Sequence, residues 1–242
     1  IEGDLIDKVF TSSVKLSVSG IEHMIRALIL TSTSEVEGDP PRMFALQRLV
    51  EVADFNMNER PRIVWRKMWG LMSSHFTNVG CHSNQQVSMY AIDSLRQLSI
   101  KFLQKPELKD FRFQELFLEP FLVIMKGEKT REDTRELILF CLDNLIRSLA
   151  TNIRSGWRII FSCLSYSASD VTIKIAKLGL DLVNNLLDRH MRMFTSADDF
   201  VSLVSTSLSF VYSNVNLPVG LSMRALCHIG YFADVIARGD IS

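Results

Sequence analysis

The chain has 242 residues, of which 47% are hydrophobic and 22% are charged. This length and composition are typical of an ordered soluble protein with a sizeable core. Lys and Arg together number 27, as do Asp and Glu, so no bulk charge draws the chain to nucleic acid. Its longest purely apolar runs are far shorter than the ~20 residues that cross a bilayer, so we do not expect an integral membrane protein.

Apolar residues recur at three- and four-residue steps along most of the chain, which predicts amphipathic helices. The first two helices are predicted at Asp4–Phe10 and over about 17–30, with a polar break at 31–38. The string Asp39-Pro40-Pro41 is a helix-start signal in which Asp39 caps the helix. The apolar stripe of this third helix reaches Phe55.

Turn residues separate the next helices. Residues 56–61 have the sequence of a tight turn, because asparagine tolerates the left-handed conformation and the residue before Pro61 is pushed out of the helical region. A helix should follow as far as Gly80. The clearest amphipathic stretch begins at Val87 and is stopped by a proline at 106, and a further helix is predicted at 113–125.

Start signals also mark the helices of the second half. The string Thr130-Arg131-Glu132-Asp133 resembles a capping box, Ser155 is placed to cap the next helix, and Ser169-Asp170 begins another. The closing pair of helices is predicted at 197–212 and after Pro218.

The first helices of successive pairs begin near residues 41, 83, 130, 169 and 218. A recurrence of about 40 to 47 residues is the spacing of HEAT and armadillo repeats. We therefore predict an all-α fold, a HEAT/armadillo-like α-solenoid of stacked helical hairpins. Residues 1–36 would form N-terminal helices that lead into a single continuous repeat domain at 39–242. The alternative is a compact helical bundle, which requires contact between the first and last helices.

The sequence contains no pattern of catalytic or metal-binding residues. Metal sites need several converging Cys, His, Asp or Glu side chains, whereas Cys81, Cys141, Cys163 and Cys227 are scattered. Gly-rich phosphate loops, nucleophile elbows and His-Glu-x-x-His strings do not occur. We expect no catalytic, cofactor or metal site in this chain and no enzyme activity.

Binding of other proteins is the function left to consider, because repeat solenoids hold partners on the extended faces of successive helices. Two clusters combine arginine with lysine or tryptophan, and arginine and tryptophan are favoured at interface hot spots. The candidate protein-binding residues are Arg60, Arg62, Arg66 and Lys67 in the first cluster and Arg154, Trp157 and Arg158 in the second. The alternative interpretation places Trp157 in the core and the arginines in solvent or in salt bridges.

Several strings of the sequence occur in the order in which a known family has them. They are RMFALQRLVE at 42–51, Asn56-Met57-Asn58, Val79-Gly80-Cys81, DSLRQLS at 93–99, KFL at 101–103, FRFQ at 111–114 and NIRSGW at 152–157. The series resembles the C-terminal regulatory region of the large Golgi Arf guanine-nucleotide exchange factors, which are the brefeldin A-inhibited exchange factors and their fungal counterparts. The resemblance is to their segments of homology downstream of the catalytic domain (HDS). Within the fourth string, Asp93, Arg96 and Gln97 are a candidate structural motif, in which we expect Asp93 and Arg96 to act between repeats.

This resemblance implies a helical-repeat module attached to an Arf-activating catalytic domain that the present sequence does not contain. By the same resemblance, the module would control exchange activity and recruitment from the cytoplasm to trans-Golgi network membranes. Its partners would be a GTP-loaded small GTPase of the Arf or Rab type, or other domains of the same chain. A homodimer of the full-length protein is a further arrangement that the resemblance allows.

Two alternatives stay open at this point. One is a structural spacer whose strings specify packing between repeats. The other is a peripheral module that contacts a membrane through a helix end such as HMRMF at 190–194. Neither alternative binds a GTPase directly.

Overall fold

The computed structural model describes residues 2–108, 111–194, 196–213 and 217–239, with residues 2–6 described by their backbone alone. In these ranges the regular structure consists of eleven α-helices and three short 3-10 turns. The chain forms two compact units, Ile1–Lys105 and Pro106–Ser242.

Five helices in two layers make up the first unit. They are α1 (Glu2–Thr11), α2 (Val18–Val36), α3 (Phe44–Glu59), α4 (Arg62–Gly80) and α5 (Gln85–Leu103). In one layer α3 contacts both α1 and α5, and in the other α2 packs beside α4. The core between the layers includes Trp65, Trp69 and Phe76 of α4, whose successive rings stack at centroid distances of 6.3 Å.

Six helices form the second unit in the same way. They are α6 (Phe113–Lys126), α7 (Glu132–Leu149), α8 (Trp157–Ser167), α9 (Ile173–His190), α10 (Ala197–Val211) and α11 (Val219–Ala237). One layer holds α7, α9 and α11, and the other holds α6, α8 and α10. Each helix contacts its neighbour in the sequence and also the next helix but one.

This stacking of successive hairpins within each unit is that of a HEAT-like solenoid, and it confirms the predicted fold class. The helices α3, α5, α7, α9 and α11 begin at residues 44, 85, 132, 173 and 219, close to the predicted starts. The continuity of one domain over 39–242 stays a prediction.

The helix α2 is longer than predicted, because the polar residues 31–36 remain helical. The hydroxyls of Thr31 and Thr33 donate to carbonyl oxygens one turn earlier, at 3.0 and 2.9 Å, which satisfies them inside the helix. Ser32 is fully buried and shares a 2.9 Å hydrogen bond with His75 Nε2 of α4. Packing against α4 therefore overrides the polar pattern that predicted a break.

Both ends of α3 also differ from the prediction. The helix begins later than Asp39-Pro40-Pro41 indicated, and the N–H of Ala45 donates to Glu35 Oε2 of α2 at 2.8 Å. The cap thus comes from Glu35 instead of Asp39. At the other end α3 continues to Glu59, because Asn56 is buried and its side-chain amide donates to a carbonyl of the preceding turn at 2.9 Å.

Two residues predicted to cap their own helices serve the neighbouring helix. Thr130 Oγ1 donates to Ile124 O of α6 at 2.6 Å, so it joins the end of α6 to the loop before α7. Ser155 Oγ accepts from the N–H of Glu115, in the first turn of α6, at 3.1 Å. Ser155 therefore caps α6 and not α8.

Candidate interaction surfaces

The exposed face of α4 carries most of the first predicted cluster. The helix turns its aromatic face toward α2 and α5, so Arg62, Arg66 and Lys67 lie on the opposite side and are exposed. Ile63 beside them is 70% exposed. One turn further, a Cβ added to Gly70 would meet none of the described residues within 4 Å. Arg62, Ile63, Arg66, Lys67 and Gly70 thus form a basic surface with one exposed apolar side chain, which we call the α4 face.

The charges of the α4 face oppose the helix dipole. The first turn of α4 has no acidic residue and includes Arg62, although the N-terminal end of a helix favours negative side chains. Nearby, Lys105 Nζ donates to Met57 O at 2.6 Å. Burial, together with the charge of Arg62, lowers the pKa of Lys105. The helix dipole therefore does not account for the concentration of cations at this end of α4.

Arg60 differs from its neighbours because it is tied into the fold. Its Nε donates to Asn56 Oδ1 at 2.9 Å, and its Nη2 donates to Ser13 O at 2.8 Å. Asn56 Nδ2 in turn donates to Ser13 Oγ at 2.8 Å. The guanidinium of Arg60 thus fastens the turn between α3 and α4 to the 3-10 turn Ser12–Lys15, and it positions the α4 face instead of forming part of it.

Trp157, in the second predicted cluster, is a core residue. Its side chain is 3% exposed, and its ring meets Phe194 edge-on at 4.9 Å and stacks with Phe161 at 5.7 Å. A side chain this buried cannot contact a partner. Trp157 is therefore a core residue, as the alternative interpretation had it, and a second interaction surface would consist of Arg154 and Arg158.

Arg154 and Arg158 are exposed at the start of α8. Arg158 Nη1 lies 2.8 Å from Glu115 Oε1 of α6, yet its side chain remains 69% exposed. An ion pair this exposed contributes little to stability, so Arg158 keeps contact area for a partner.

The loop that carries Arg154 is held by two side chains that sequence patterns did not mark as candidates. Gln114 is 1% exposed, accepts from the backbone N–H of Arg154 at 2.7 Å and donates to Asn152 O at 2.9 Å. Glu107 accepts from the N–H and the Oγ of Ser155, at 2.9 and 2.6 Å. A sequence signal was available, because Gln114 lies in the string FRFQ and Arg154 lies in NIRSGW. In the structure a hydrogen bond joins these two strings.

Asp93, Arg96 and Gln97 form a network within α5. Asp93 Oδ1 accepts from Arg96 Nε at 2.8 Å, and Oδ2 accepts from Gln97 Nε2 at 2.7 Å. Side chains three and four residues apart on one helix face make such contacts. This corrects the expectation that Asp93 and Arg96 act between repeats. The ion pair that joins α3 to α5 is formed by Asp54 Oδ2 and Lys101 Nζ, 2.5 Å apart.

Two of the four cysteines lie in the core, whereas Cys227 is exposed and Cys81 is half-buried. Within the described ranges, no group of three or more His, Cys, Asp or Glu residues could hold a metal ion. Cys141 and Cys163 are buried and take part in no disulfide. Burial raises the pKa of Cys163 to about 12, which keeps its thiol protonated and unreactive at neutral pH.

One helix among the described residues, α11, is long and apolar enough to cross a membrane by length and composition. Sequence reasoning did not anticipate this, because it counted uninterrupted apolar runs. In the structure Leu221, Ala225 and Phe232 of α11 are buried, whereas Met223 and Ile236 are exposed, and 22% of the helix is buried. The helix end at 190–194 is also turned inward, since Met191 and Phe194 are buried.

Comparison with known proteins identifies the family. A family model described as Mon2/Sec7/BIG1-like HDS matches residues 101–185. The chain is 32% identical over 99% of its length to brefeldin A-inhibited guanine nucleotide-exchange protein 3 of Arabidopsis thaliana, and 41% identical over 96% to brefeldin A-inhibited guanine nucleotide-exchange protein 1 of Rattus norvegicus. Residues 101–185 therefore carry a segment of the Mon2/Sec7/BIG1-like HDS type. A third relative is the ADP-ribosylation factor guanine nucleotide-exchange factor sec71 of Schizosaccharomyces pombe, 35% identical over 90% of the chain.

The chain spans only 14%, 12% and 12% of the length of these three relatives. The family that matches is that of the HDS segment and not that of the Sec7 catalytic domain. The resemblance drawn from the ordered strings is thereby confirmed. The hydrogen bonds between Gln114 and the loop at 152–156 lie inside the matched HDS segment.

Proposed function

We propose that this HDS segment is a non-catalytic regulatory module of an Arf guanine-nucleotide exchange factor. It acts through contacts with a GTP-loaded small GTPase of the Arf or Rab type, or with another domain of its own chain. These contacts control exchange and recruitment from the cytoplasm to trans-Golgi network membranes. The observation that carries the proposal is the α4 face, with Arg62, Arg66 and Lys67 exposed beside Ile63.

The chemistry of the α4 face is suited to an acidic protein surface. Arginine combines a large contact area with directed hydrogen-bond donors, and opposite charges accelerate encounter and select partners. Ile63 adds apolar area that is exposed in the isolated chain. The match of residues 101–185 to the HDS family supports a small GTPase as the partner, because the relative sec71 is named as an ADP-ribosylation factor guanine nucleotide-exchange factor.

The test reverses the charge of the α4 face in a single variant that combines Arg62→Glu, Arg66→Glu and Lys67→Glu. We expect this variant to bind its GTP-loaded partner at least about tenfold more weakly, because attraction becomes repulsion. Biolayer interferometry with Arf and Rab proteins, each loaded with GTP analogue or with GDP, measures the change. The charge-matched control carries Glu in place of Lys129, Lys177 and Arg238, three cations that are exposed elsewhere in the chain.

The same measurements separate the alternatives. Equal binding of the GTP- and GDP-loaded forms, or no binding to either, contradicts direct recognition of an activated GTPase. If the segment is only a structural spacer, it should bind none of these proteins, and the two variants should not differ in binding. Flotation with anionic liposomes that is lost only when the charge of the α4 face is reversed would mean that this face binds a membrane surface and not a GTPase.

A further inference from the structure

The helix α11 of the second unit is apolar on two opposite sides. One side packs against α9 and α10, and Leu221, Ala225 and Phe232 on it are buried. Among the exposed residues described for α11, only Arg224 and Asp234 carry a charge. The exposed residues of α9, by contrast, are charged at every position except Ile173. A helix that is apolar all round is expected to be buried on every side, so the outer side of α11 is suited to a partner.

The outer side of α11 carries an apolar stripe with the spacing of a coiled coil. Its residues recur at steps of four and three positions, which is the heptad pattern by which two helices pack against each other. They are Val219, Met223, Leu226, Gly230, Ala233 and Ala237, and all of them are exposed. We call these residues the α11 stripe. A Cβ added to Gly230 would meet none of the described residues within 4 Å, so the stripe is open to a second helix.

The α11 stripe changes from large to small side chains along the helix. Its first three residues are a valine, a methionine and a leucine, and its last three are a glycine and two alanines. Two copies of α11 that run antiparallel and cross at position 228 would place each large residue opposite a small one. The three pairs are Val219 with Ala237, Met223 with Ala233 and Leu226 with Gly230, the second residue of each pair coming from the second copy. This is the self-complementarity that a two-fold interface requires.

The residues beside the α11 stripe are compatible with the same pairing. On one flank Ile229 lies next to the crossing point and would meet Ile229 of the second copy, which adds apolar contact. On the other flank Asp234 would face Gly220 of the second copy and not another acid. Arg224 lies further from the stripe and pairs with Asp181 of α9 at 2.8 Å. The charges of α11 therefore do not oppose the approach of a second copy.

We propose that α11 pairs with α11 of a second copy of this chain in an antiparallel two-fold dimer. Small residues in every layer let the two helices approach to about 8 Å, and the large residue of each layer fills the space above the small one. A single pair of helices is a small interface, below the roughly 1,200 Å² of strong ones. The dimer is therefore reversible, with a dissociation constant on the order of 10 µM. Because α11 and the α4 face lie in different units, the dimer does not depend on the function proposed above.

Sedimentation velocity over about 1 to 200 µM protein measures the association. We expect a reversible equilibrium of monomer and dimer that Leu226→Glu weakens at least about tenfold, because the variant places a carboxylate in an apolar layer. The matched control is Leu30→Glu on α2, which replaces an exposed leucine of the first unit and should leave the dimer unchanged. Both leucines are exposed, so both variants keep the fold, which circular dichroism checks.

The thiol of Cys227 tests the orientation of the two helices. Cys227 is exposed and lies one residue from the crossing point, so its two copies would be about 3 Å apart along the helix axis and on facing flanks. In a parallel pair they would lie on opposite flanks. A short bismaleimide should therefore cross-link the wild-type dimer, and Cys227→Ser should abolish the cross-linked product.

Several results would overturn the proposal. They are a chain that stays monomeric up to about 200 µM, an association that grows beyond the dimer, and equal weakening by Leu30→Glu. Failure of the wild-type chain to cross-link, or a product that persists in Cys227→Ser, would also contradict the antiparallel pairing. A monomeric chain that floats with neutral liposomes, and no longer does so as Leu226→Glu, would assign the α11 stripe to a bilayer instead.

Discussion

The close approach of three helices in the second unit depends on a single residue, Gly179 of α9. A Cβ at this position would overlap Ser167 Oγ of α8 and lie 3.2 Å from Phe210 Cζ of α10. Ser167 is fully buried, and its Oγ donates to Leu164 O at 2.6 Å, so it has no free space into which to move. Glycine in the middle of a helix is unfavourable, and here the contact between helices compensates for it.

Gly179→Ala should lower the free energy of unfolding by about 1 to 3 kcal/mol, because the added methyl group overpacks the contact with Ser167. Urea denaturation followed by circular dichroism measures the change. The matched control is Gly70→Ala on α4, where the position of a Cβ is open. It should raise stability by about 0.5 to 1 kcal/mol through helix propensity alone. Similar effects of the two substitutions would contradict the role of Gly179 in packing.

His75 makes the stability of the first unit depend on pH. Burial lowers the pKa of His75 from 6.5 to about 4, so the unfolded chain takes up the proton first as the pH falls below about 6.5. The contribution of His75 to the free energy of unfolding is therefore lost as the pH falls from about 6.5 to about 4. At pH 5 the wild-type chain should have lost about 2 kcal/mol more than His75→Gln, relative to neutral pH. The same loss in both chains, measured by urea denaturation at each pH, would refute this cause.

Periodicity predicted the helices of this chain well, but partners elsewhere in the sequence decide where several of them begin and end. Glu35 of α2 caps α3, and Ser155 caps α6 across a hairpin. A capping pattern in a sequence compares residues three positions apart, whereas Ser155 and Glu115, whose N–H donates to it, are 40 residues apart. Such caps could not be predicted, because the sequence order does not say which loops meet.

Gln114 shows the same dependence at a loop that carries a candidate binding residue. Gln114→Ala removes the acceptor for the N–H of Arg154 and the donor to Asn152 O, and so takes these hydrogen bonds from part-buried backbone groups. We expect a loss of about 2 to 4 kcal/mol in the free energy of unfolding. The control Gln97→Ala, at an exposed position of α5, should change it by less than about 0.5 kcal/mol. A small effect of Gln114→Ala would mean that solvent replaces this network.

Across the molecule, charge is distributed unevenly although the chain as a whole is neutral. The α4 face of the first unit is basic. In the second unit, ion pairs such as Lys174–Glu136 and Arg224–Asp181 connect successive helices of one layer. A balanced composition therefore excluded a bulk field without excluding a local charged surface.

The all-α fold class, the spacing of the repeats and the resemblance to the HDS segments follow from the sequence alone, because the apolar period, the prolines and the ordered strings are local properties of the chain. The sequence also indicated as candidates the basic residues that lie on the α4 face. The tertiary structure was needed to show that Trp157 is buried, that Arg60 is tied to Ser13, and that Gln114 holds the loop of Arg154. Those outcomes depend on which helix faces meet, and side chains from about 40 residues away decide that.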